Sequence, residues 1–242
     1  MLLYAPDIAV DPYLPETEAH HCLKVLRMRV GDSLRITDGK GNLYQAEVAE
    51  IFHKTLNACR VNLLETIPQP PLWKGIIEIA VAPTKNSDRM EWFAEKATET
   101  GIDKITFLRC RSSERKEMPL ERIRKITVSA MKQSEKAQLP ALQEMTDFKD
   151  FIKQDFDGQK FIAYCTLDNK VPLAQAYRKN ENALVLIGPE GDFSEEEISL
   201  AKAYGFIPVS LGESRLRTET AALTACQTIH IVNQVESGKN NE

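Results

Sequence analysis

The spacing of hydrophobic positions changes near residues 65–71. Before this point, alternating apolar residues predict strands at 33–37, 42–51 and 56–64, and a helical spacing predicts one helix over 16–27. The run Asp-Gly-Lys-Gly-Asn at 38–42 is typical of a hairpin turn. The N-terminal part is therefore predicted to be a small β-barrel with one helix.

After residue 71, predicted strands and helices alternate. Apolar strands are expected at 76–82, 104–109, 160–165, 183–187 and 207–211. Helices are expected from Met90 to Gly101, over 121–139 before Pro140, over 194–204 behind a Ser-Glu-Glu-Glu capping box, and over 218–235 behind a Thr cap. This order predicts an α/β fold with a parallel sheet covered on both faces.

Three prolines lie within residues 68–71, and proline is excluded from helix interiors and central strands. We therefore predict a first domain at 1–67, a semi-rigid linker at 68–72 and a second domain at 73–242.

The distribution of charge along the chain suggests nucleic-acid binding, although the net charge does not. The net charge is −4, yet residues 104–136 hold ten Lys and Arg against four Glu, and residues 20–40 hold five against two Asp. Two basic segments in an otherwise acidic chain are typical of a protein that binds nucleic-acid phosphates on one surface. Solvated helix faces are the alternative, and for either segment alone they are favoured.

Several other classes of protein and site are disfavoured. The longest apolar runs are too short to span a membrane, and the first residues lack the pattern of a signal peptide, so we expect a cytoplasmic protein. The five cysteines are far apart and form no C-x-x-C pair, which argues against disulfides and zinc. The four histidines add no cluster, so no metal is expected.

Two loops in the last third carry the candidate chemistry. The loop 188–194 follows a strand and has two glycines, but it lacks both the Gly-Lys-Ser/Thr ending of a phosphate loop and the G-x-G-x-x-G pattern. The three glutamates after Ser194 would repel a phosphate from the start of the following helix, so a ligand with a cationic centre is the better electrostatic match. The loop 211–217 carries two arginines before a helix. A plain turn with a cap is the alternative for the first loop. For the second, a capped helix with a solvated loop is favoured by spacing alone.

Together, these motifs resemble the SPOUT class of RNA methyltransferases and, within it, the RsmE family of 16S ribosomal RNA uridine-N3 methyltransferases. The resemblance covers nearly the whole chain. It is carried by the Gly-Pro-Glu-Gly run at 188–191, Leu-Gly at 211–212, Leu-Arg-Thr-Glu-Thr-Ala at 216–221, the run 20–29 in a PUA-like RNA-binding domain, and shorter motifs around residues 84–101, 111–115 and 133–134.

This resemblance implies a deep trefoil knot in the last third, a bent S-adenosylmethionine in the knot, a homodimer, and the small ribosomal subunit with its 16S RNA as partner. Apolar leucine side chains and freed backbone groups in the knot loops suit a flat adenine ring. The implied cofactor-binding residues are Thr166, Leu186, Ile187, Gly188, Pro189, Glu190, Gly191, Leu211, Gly212, Leu216, Arg217 and Thr218.

The reaction implies further roles. Uridine N3 must lose its proton, so Arg217 is the candidate for stabilising the uracil anion, and Glu190 and Glu219 are candidates for the base or for orienting Arg217. Structural hydrogen bonding is an equal alternative for the two glutamates. The implied RNA contacts are His21, Lys24, Arg27, Arg29, Lys85, Arg89, Arg111, Arg115 and Gln133.

The chain departs from the family pattern at three positions. Asp192 replaces a common glycine, and Lys132 and Lys136 stand where Glu and Arg are expected. Two other functions remain as alternatives: methylation of another RNA position such as a ribose 2′-hydroxyl, and a non-catalytic RNA-binding or ribosome-assembly role on the same fold.

Overall fold

The structure is a computed structural model that describes residues 2–52, 58–165 and 170–235. The chain divides into two compact units. The first comprises Met1–Pro71 and Val128–Leu139, and the second comprises Leu72–Thr127 and Pro140–Glu242.

The first unit is built on a four-stranded sheet. Its strands are β1 (Leu2–Tyr4), β2 (Ser33–Thr37), β3 (Asn42–Phe52) and β4 (Ala58–Pro68), in the spatial order β1-β2-β3-β4. Strand β1 pairs parallel with β2, and the other two pairs are antiparallel. The hairpin between β2 and β3 is confirmed, because the Asp38 carboxylate accepts the N–H groups of Lys40 and Asn42 at 2.7 and 3.2 Å.

The predicted N-terminal helix is shorter and less regular than expected. Helix α1 covers only Glu16–His20, and the wider turns of a π-helix follow over His21–Val25. The prediction of one helix over 16–27 was wrong at its end, because Arg27 adopts a left-handed backbone with φ 56° that no helix can include. The N–H of Met28 then bonds back to the carbonyl of Cys22 at 3.1 Å and closes the turn.

The segment Val128–Leu139 completes the first unit. Lys132 Nζ lies 2.5 Å from Glu18 Oε1, and Arg35 Nη2 lies 2.8 Å from Glu135 Oε1. Lys132, one of the departures from the family pattern, thus has a carboxylate partner within this unit. Lys136 is buried and also has a partner.

The second unit contains a seven-stranded sheet. Its strands are β5 (Ile77–Val81), β6 (Lys104–Arg109), β7 (Ala141–Asp147), β8 (Gln159–Ala163), β9 (Val171–Pro172), β10 (Ala183–Ile187) and β11 (Ile207–Ser210). They lie in the order β7-β6-β5-β10-β8-β11-β9, and every pair of neighbours is parallel. This confirms the predicted α/β class.

Helices cover both faces of this sheet. They are α2 (Ser87–Thr100), the part of α3 (Leu120–Gln133) that precedes Val128, α4 (Phe148–Phe151), α5 (Leu173–Ala176), α6 (Glu195–Ala203) and α7 (Thr218–Gln234). Alternate residues of the central strands point to opposite faces, so Ile79 and Val185 join one buried cluster while Ala80 and Leu186 join the other. Helices α2 and α7 pack on the first face, and α4 and α6 on the second.

Helix α3 ends at Gln133, so the prediction that it continues to residue 139 was wrong. It ends well before Pro140 because Glu135 takes a left-handed backbone with φ 53°. The N–H of Lys136 then bonds to the carbonyl of Met131 at 3.1 Å, which caps the helix.

The order of the strands positions the functional site. Strand β10 lies between β5 and β8, and β11 lies on the other side of β8. Since all these strands are parallel, the loops that follow β8, β10 and β11 leave the same edge of the sheet.

The ends of helices α2 and α6 were predicted well, with Gly101 and Gly205 at positive φ of 119° and 83° after them.

Candidate functional site: a cleft at the strand ends

A cleft of about 930 Å³ opens in the second unit at the carboxyl ends of β8, β10 and β11. Its volume is that of a site for a ligand of nucleoside size or larger. Nine of the predicted cofactor-binding residues line it: Ile187, Gly188, Pro189, Glu190, Leu211, Gly212, Leu216, Arg217 and Thr218.

The three other predicted cofactor residues are placed differently. The Leu186 side chain is fully buried in the core on the face shared with Phe193. Gly191 lies outside the lining, and a Cβ there would come 3.2 Å from Ser112 Cβ, so a side chain would crowd that loop. Thr166 lies outside the described residues.

The loop after β10 is held by its own backbone and by Asp192. The N–H of Asp192 bonds to the carbonyl of Pro189 at 2.9 Å, and Asp192 has a left-handed φ of 65°. This conformation explains why glycine suits the position, and aspartate is among the few other residues that tolerate it. Gly188 is needed for a different reason, because a Cβ there would lie 3.0 Å from the Phe193 ring.

Asp192 also connects this loop to the loop after β8. Its carboxylate Oδ2 accepts the backbone N–H of Cys165 at 2.8 Å, and Oδ1 accepts the N–H of Phe193 at 2.8 Å. Both Asp192 and Cys165 line the cleft. Partial desolvation at the cleft wall, and after it the negative charge of Asp192, raises the pKa of the Cys165 thiol.

The loop after β11 meets the cleft at the start of α7. The predicted Thr cap was wrong: Arg217 is the residue that precedes the helix, and Thr218 is its first residue. The hydroxyl of Thr218 is engaged elsewhere, since it donates to the carbonyl of Gly188 at 3.1 Å in a buried position. This bond joins the β11–α7 segment to the β10 loop.

The three predicted catalytic residues do not form one group. Glu190 and Glu219 both lie next to Arg89, with Glu190 Oε1 at 2.8 Å from Arg89 Nη1 and Glu219 Oε1 at 3.8 Å from Arg89 Nε. The exposed Arg217 side chain makes no hydrogen bond or ion pair with any described residue. The two glutamates therefore pair with Arg89, and Arg217 remains available at the cleft.

Several predicted RNA contacts are engaged within the protein. Arg111 Nη1 pairs with Glu196 at 2.8 Å, and Lys85 Nζ pairs with Glu114 at 3.2 Å. Arg115 donates to the carbonyls of Thr84 and Lys85 at 3.2 and 2.7 Å. Arg115 thereby shapes the loop that precedes α2.

The remaining predicted RNA contacts belong to the first unit. Lys24, Arg27, Arg29 and Gln133 are exposed, and His21 is half-buried. In the described part of the chain, the side chains of Lys24, Arg27 and Arg29 form no ion pair. Exposed Val25 and Val30 lie beside them in the sequence.

Two basic residues of the cleft were not predicted. Arg215 lies in the loop after β11, and Lys170 lies between β8 and β9, immediately before Val171. Lys170 Nζ lies 3.9 Å from the centre of the Tyr164 ring and donates to the Tyr164 carbonyl at 2.5 Å. Arg215 was noted only as one of two arginines in the loop 211–217, and Lys170 belongs to no recognised motif, so only the fold identifies both as cleft residues.

The five cysteines differ in their burial. All five are free thiols, and four of them are buried, whereas Cys165 is exposed at the cleft. Burial raises the pKa of the Cys226 thiol to about 12. Within the described ranges, no three His, Cys, Asp or Glu side chains come together as metal ligands. No helix among the same residues is long and apolar enough to cross a membrane.

The chain is similar to known proteins along most of its length. A family model described as an RNA methyltransferase domain matches residues 72–230, and one described as an RNA methyltransferase PUA domain matches residues 14–58. A protein from Synechocystis, named ribosomal RNA small subunit methyltransferase E, is 30% identical over 237 residues, which cover 95% of this chain and 76% of that protein.

Two solved structures are similar over almost the full chain. A probable rRNA-methyltransferase from Porphyromonas gingivalis is 43% identical with a TM-score of 0.91, covering 96% of this chain and 98% of its own. A methyltransferase from Legionella pneumophila, solved with bound cofactor SAM, is 27% identical with a TM-score of 0.81, covering 95% and 96%.

Proposed function

Because this chain belongs to the RsmE family of RNA methyltransferases, we propose that it methylates N3 of a uridine in the 16S RNA of the small ribosomal subunit. The methyl donor is S-adenosylmethionine. One observation carries the proposal: the cleft at the ends of β8, β10 and β11 is lined by nine of the residues that the family motifs assign to the cofactor.

The residues of the cleft fit this cofactor. Ile187, Leu211 and Leu216 offer apolar surface to an adenine ring, and the cleft volume of about 930 Å³ accommodates the molecule. Gly212 has a positive φ of 121°, and nothing lies within 4 Å of where its Cβ would be, which leaves room for a ligand close to the backbone. The carboxylates of Glu190 and Asp192 suit a ligand that carries positive charge.

The side chains of this chain then have distinct tasks. S-adenosylmethionine, when bound, supplies an already activated methyl group. Arg217, whose guanidinium has no partner among the described residues, is proposed to stabilise negative charge on the uracil ring after N3 loses its proton. Glu190, which lines the cleft with a side chain 39% exposed, is proposed to accept that proton or to orient the uracil ring.

Binding of RNA is proposed to use the first unit most directly. Lys24, Arg27 and Arg29 are exposed cations without carboxylate partners in the described chain, so their charge is available to phosphates. Contacts of this kind position an RNA but do not read its sequence. His21, Lys85, Arg111, Arg115 and Gln133 are proposed as secondary contacts, since several of them have internal partners.

Three further properties are proposed with the family. A knot around the cofactor is supported by the position of β10, which follows β8 in the chain but lies between β5 and β8. A homodimer is supported by exposed apolar residues on and after α7, Ile231 and Val235, each 60% exposed. A cytoplasmic location follows from a ribosomal substrate.

Calorimetric titration tests the cofactor assignment. We expect saturable binding of S-adenosylmethionine with one site per chain, and no binding of ATP, because the cleft has carboxylates and lacks a phosphate loop. If S-adenosylmethionine fails to bind, even with small ribosomal subunits present, the chain is a non-catalytic RNA-binding protein on this fold.

A further inference from the structure

The guanidinium of Arg89 connects three separate segments of the second unit. Arg89 lies in the first turn of α2, and its Nη1 donates to Glu190 Oε1 in the loop after β10 at 2.8 Å. Its Nε lies 3.8 Å from Glu219 Oε1 in the first turn of α7. Only the tertiary fold brings these residues together, since Arg89 and Glu190 are 101 positions apart.

Burial increases from the cleft inwards along these three side chains. Glu190 is 39% exposed, Arg89 is 32% exposed, and Glu219 is 10% exposed. Glu190 and Arg89 line the cleft, whereas Glu219 does not. Glu219 Oε2 is buried and has no hydrogen-bond partner among the described residues, and within the same residues the ion pair of Glu219 is with Arg89.

The chemistry of arginine suits this arrangement. A guanidinium presents several N–H groups in a fixed plane, so it can address two carboxylates on different sides at once. A lysine ammonium on its flexible stem does not fix two carboxylates in one geometry. Arg89 Nη1 donates to Glu190, and Arg89 Nε lies at ion-pair distance from Glu219 Oε1, so Arg89 has less of its charge available to an RNA phosphate.

We infer that Arg89 is a positioning residue: Glu219 orients Arg89, and Arg89 holds the Glu190 carboxylate at the wall of the cleft. This inference rests on the proposed function, in which Glu190 faces the cofactor and the uracil. It replaces the RNA-phosphate role that the family motifs imply for Arg89, and it gives Glu219 a role through Arg89 instead of through Arg217.

Steady-state kinetics separates the two roles of Arg89. In Arg89→Gln we expect kcat to fall roughly tenfold or more, while the KM for RNA and its dependence on salt remain those of the wild type. Arg89→Lys is expected to restore little of the activity, because an ammonium on a flexible stem lacks the planar fork that fixes the direction of each donor. Arg178→Gln is the matched control, since it removes one cation from an exposed ion pair with Glu181 outside the cleft.

The opposite pattern would overturn the inference. A phosphate contact predicts that Arg89→Gln raises the KM for RNA and weakens its salt dependence, with kcat unchanged, and that Arg89→Lys recovers most of the affinity. A kcat equal to that of the wild type in Arg89→Gln contradicts the positioning role whatever happens to RNA binding.

A double-mutant cycle tests the inference without any RNA. If Arg89 acts through Glu190, the affinity for S-adenosylmethionine in Arg89→Gln with Glu190→Gln should be no weaker than in Glu190→Gln alone. The same cycle on the free energy of unfolding needs no ligand and should show coupling between the two residues. Additive effects in both cycles would overturn the inference, even in a protein that methylates uridine, whereas coupling in a protein without methylation would contradict only the proposed function.

Discussion

The backbone N–H of Cys165 donates a 2.8 Å hydrogen bond to the carboxylate of Asp192. This bond joins the loop after β8 to the loop after β10 at the wall of the cleft, and Asp192 makes it from a left-handed backbone with φ 65°. The family motif favours glycine at this position, so the side chain of Asp192 gives this chain a connection that glycine cannot make.

Replacing Asp192 should separate its backbone and side-chain contributions. Asp192→Ala loses the hydrogen bonds of the carboxylate and puts alanine, which tolerates the left-handed conformation less well than aspartate, at this position. Together these changes should lower the free energy of unfolding by about 1–2 kcal/mol. Asp192→Gly relieves the conformational cost and should be closer to the wild type in stability, yet it should still weaken binding of S-adenosylmethionine. Urea denaturation and calorimetry measure the two quantities; equal stability of all three proteins would contradict both roles of Asp192.

The Cys165 thiol should report on the same hydrogen-bonded pair through its pH dependence. Partial desolvation and the charge of Asp192 raise its pKa, so at neutral pH the thiol is protonated more fully than an ordinary cysteine. Only the thiolate is nucleophilic, so alkylation of Cys165 should be slow at neutral pH and accelerate as the pH rises. Asp192→Asn removes the charge and should shift the alkylation profile to lower pH.

Mass spectrometry of peptides after timed treatment with iodoacetamide measures this profile. The other four cysteines are buried and serve as internal controls that should react only after unfolding. An alkylation profile that does not move in Asp192→Asn would show that the carboxylate does not act on the thiol.

Arg217→Ala should impair chemistry more than binding. Its guanidinium is at the cleft without a partner among the described residues. We propose that it stabilises the uracil ring only once that ring carries negative charge. Removal of one such group typically lowers kcat by roughly 10²–10³. The affinity for S-adenosylmethionine and for RNA should change little in the same variant. A defect confined to RNA affinity would instead make Arg217 an RNA contact.

Removal of the exposed cations of the first unit should weaken RNA binding in a salt-dependent way. In Lys24→Gln with Arg27→Gln and Arg29→Gln, the slope of log affinity against log salt should become shallower by about 0.7–0.9 for each phosphate that is no longer neutralised. Arg60→Gln is the control in the same unit, because Arg60 pairs with Glu50 at 2.8 Å. An unchanged slope in the triple variant would exclude this surface from the RNA interface.

The sequence predicted best what local patterns determine. Strands β2, β6 and β10 match their predicted bounds, because buried parallel strands are continuous apolar runs and strands with one solvated face alternate, and the capping box of Ser194 and Glu197 is a local signal. The edge strand β7 was not predicted. Its pattern alternates poorly, since its residues are only partly buried or exposed.

Contacts between residues that are far apart in the sequence could not be predicted from local sequence patterns. Nothing in the pattern of Val128–Leu139 predicts that this segment belongs with the first unit, which depends on contacts such as Lys132 with Glu18. In the site, the motifs located the cleft loops and made the two glutamates candidates for the base or for orienting Arg217. In the structure, both glutamates lie beside Arg89. This pairing could not be predicted, because the spacing within a motif contains no information about a residue on another helix.

Nucleoside analysis of small-subunit RNA is the decisive experiment for uridine-N3 methylation. Small subunits from cells that lack this protein would be incubated with the wild-type chain and S-adenosylmethionine, with Arg217→Ala in parallel, and the digested RNA analysed by mass spectrometry. We expect 3-methyluridine at close to one per subunit with the wild type and a much slower appearance with the variant. A methyl group on a ribose 2′-hydroxyl or on another base, or no methylated product at all, would contradict the proposed function.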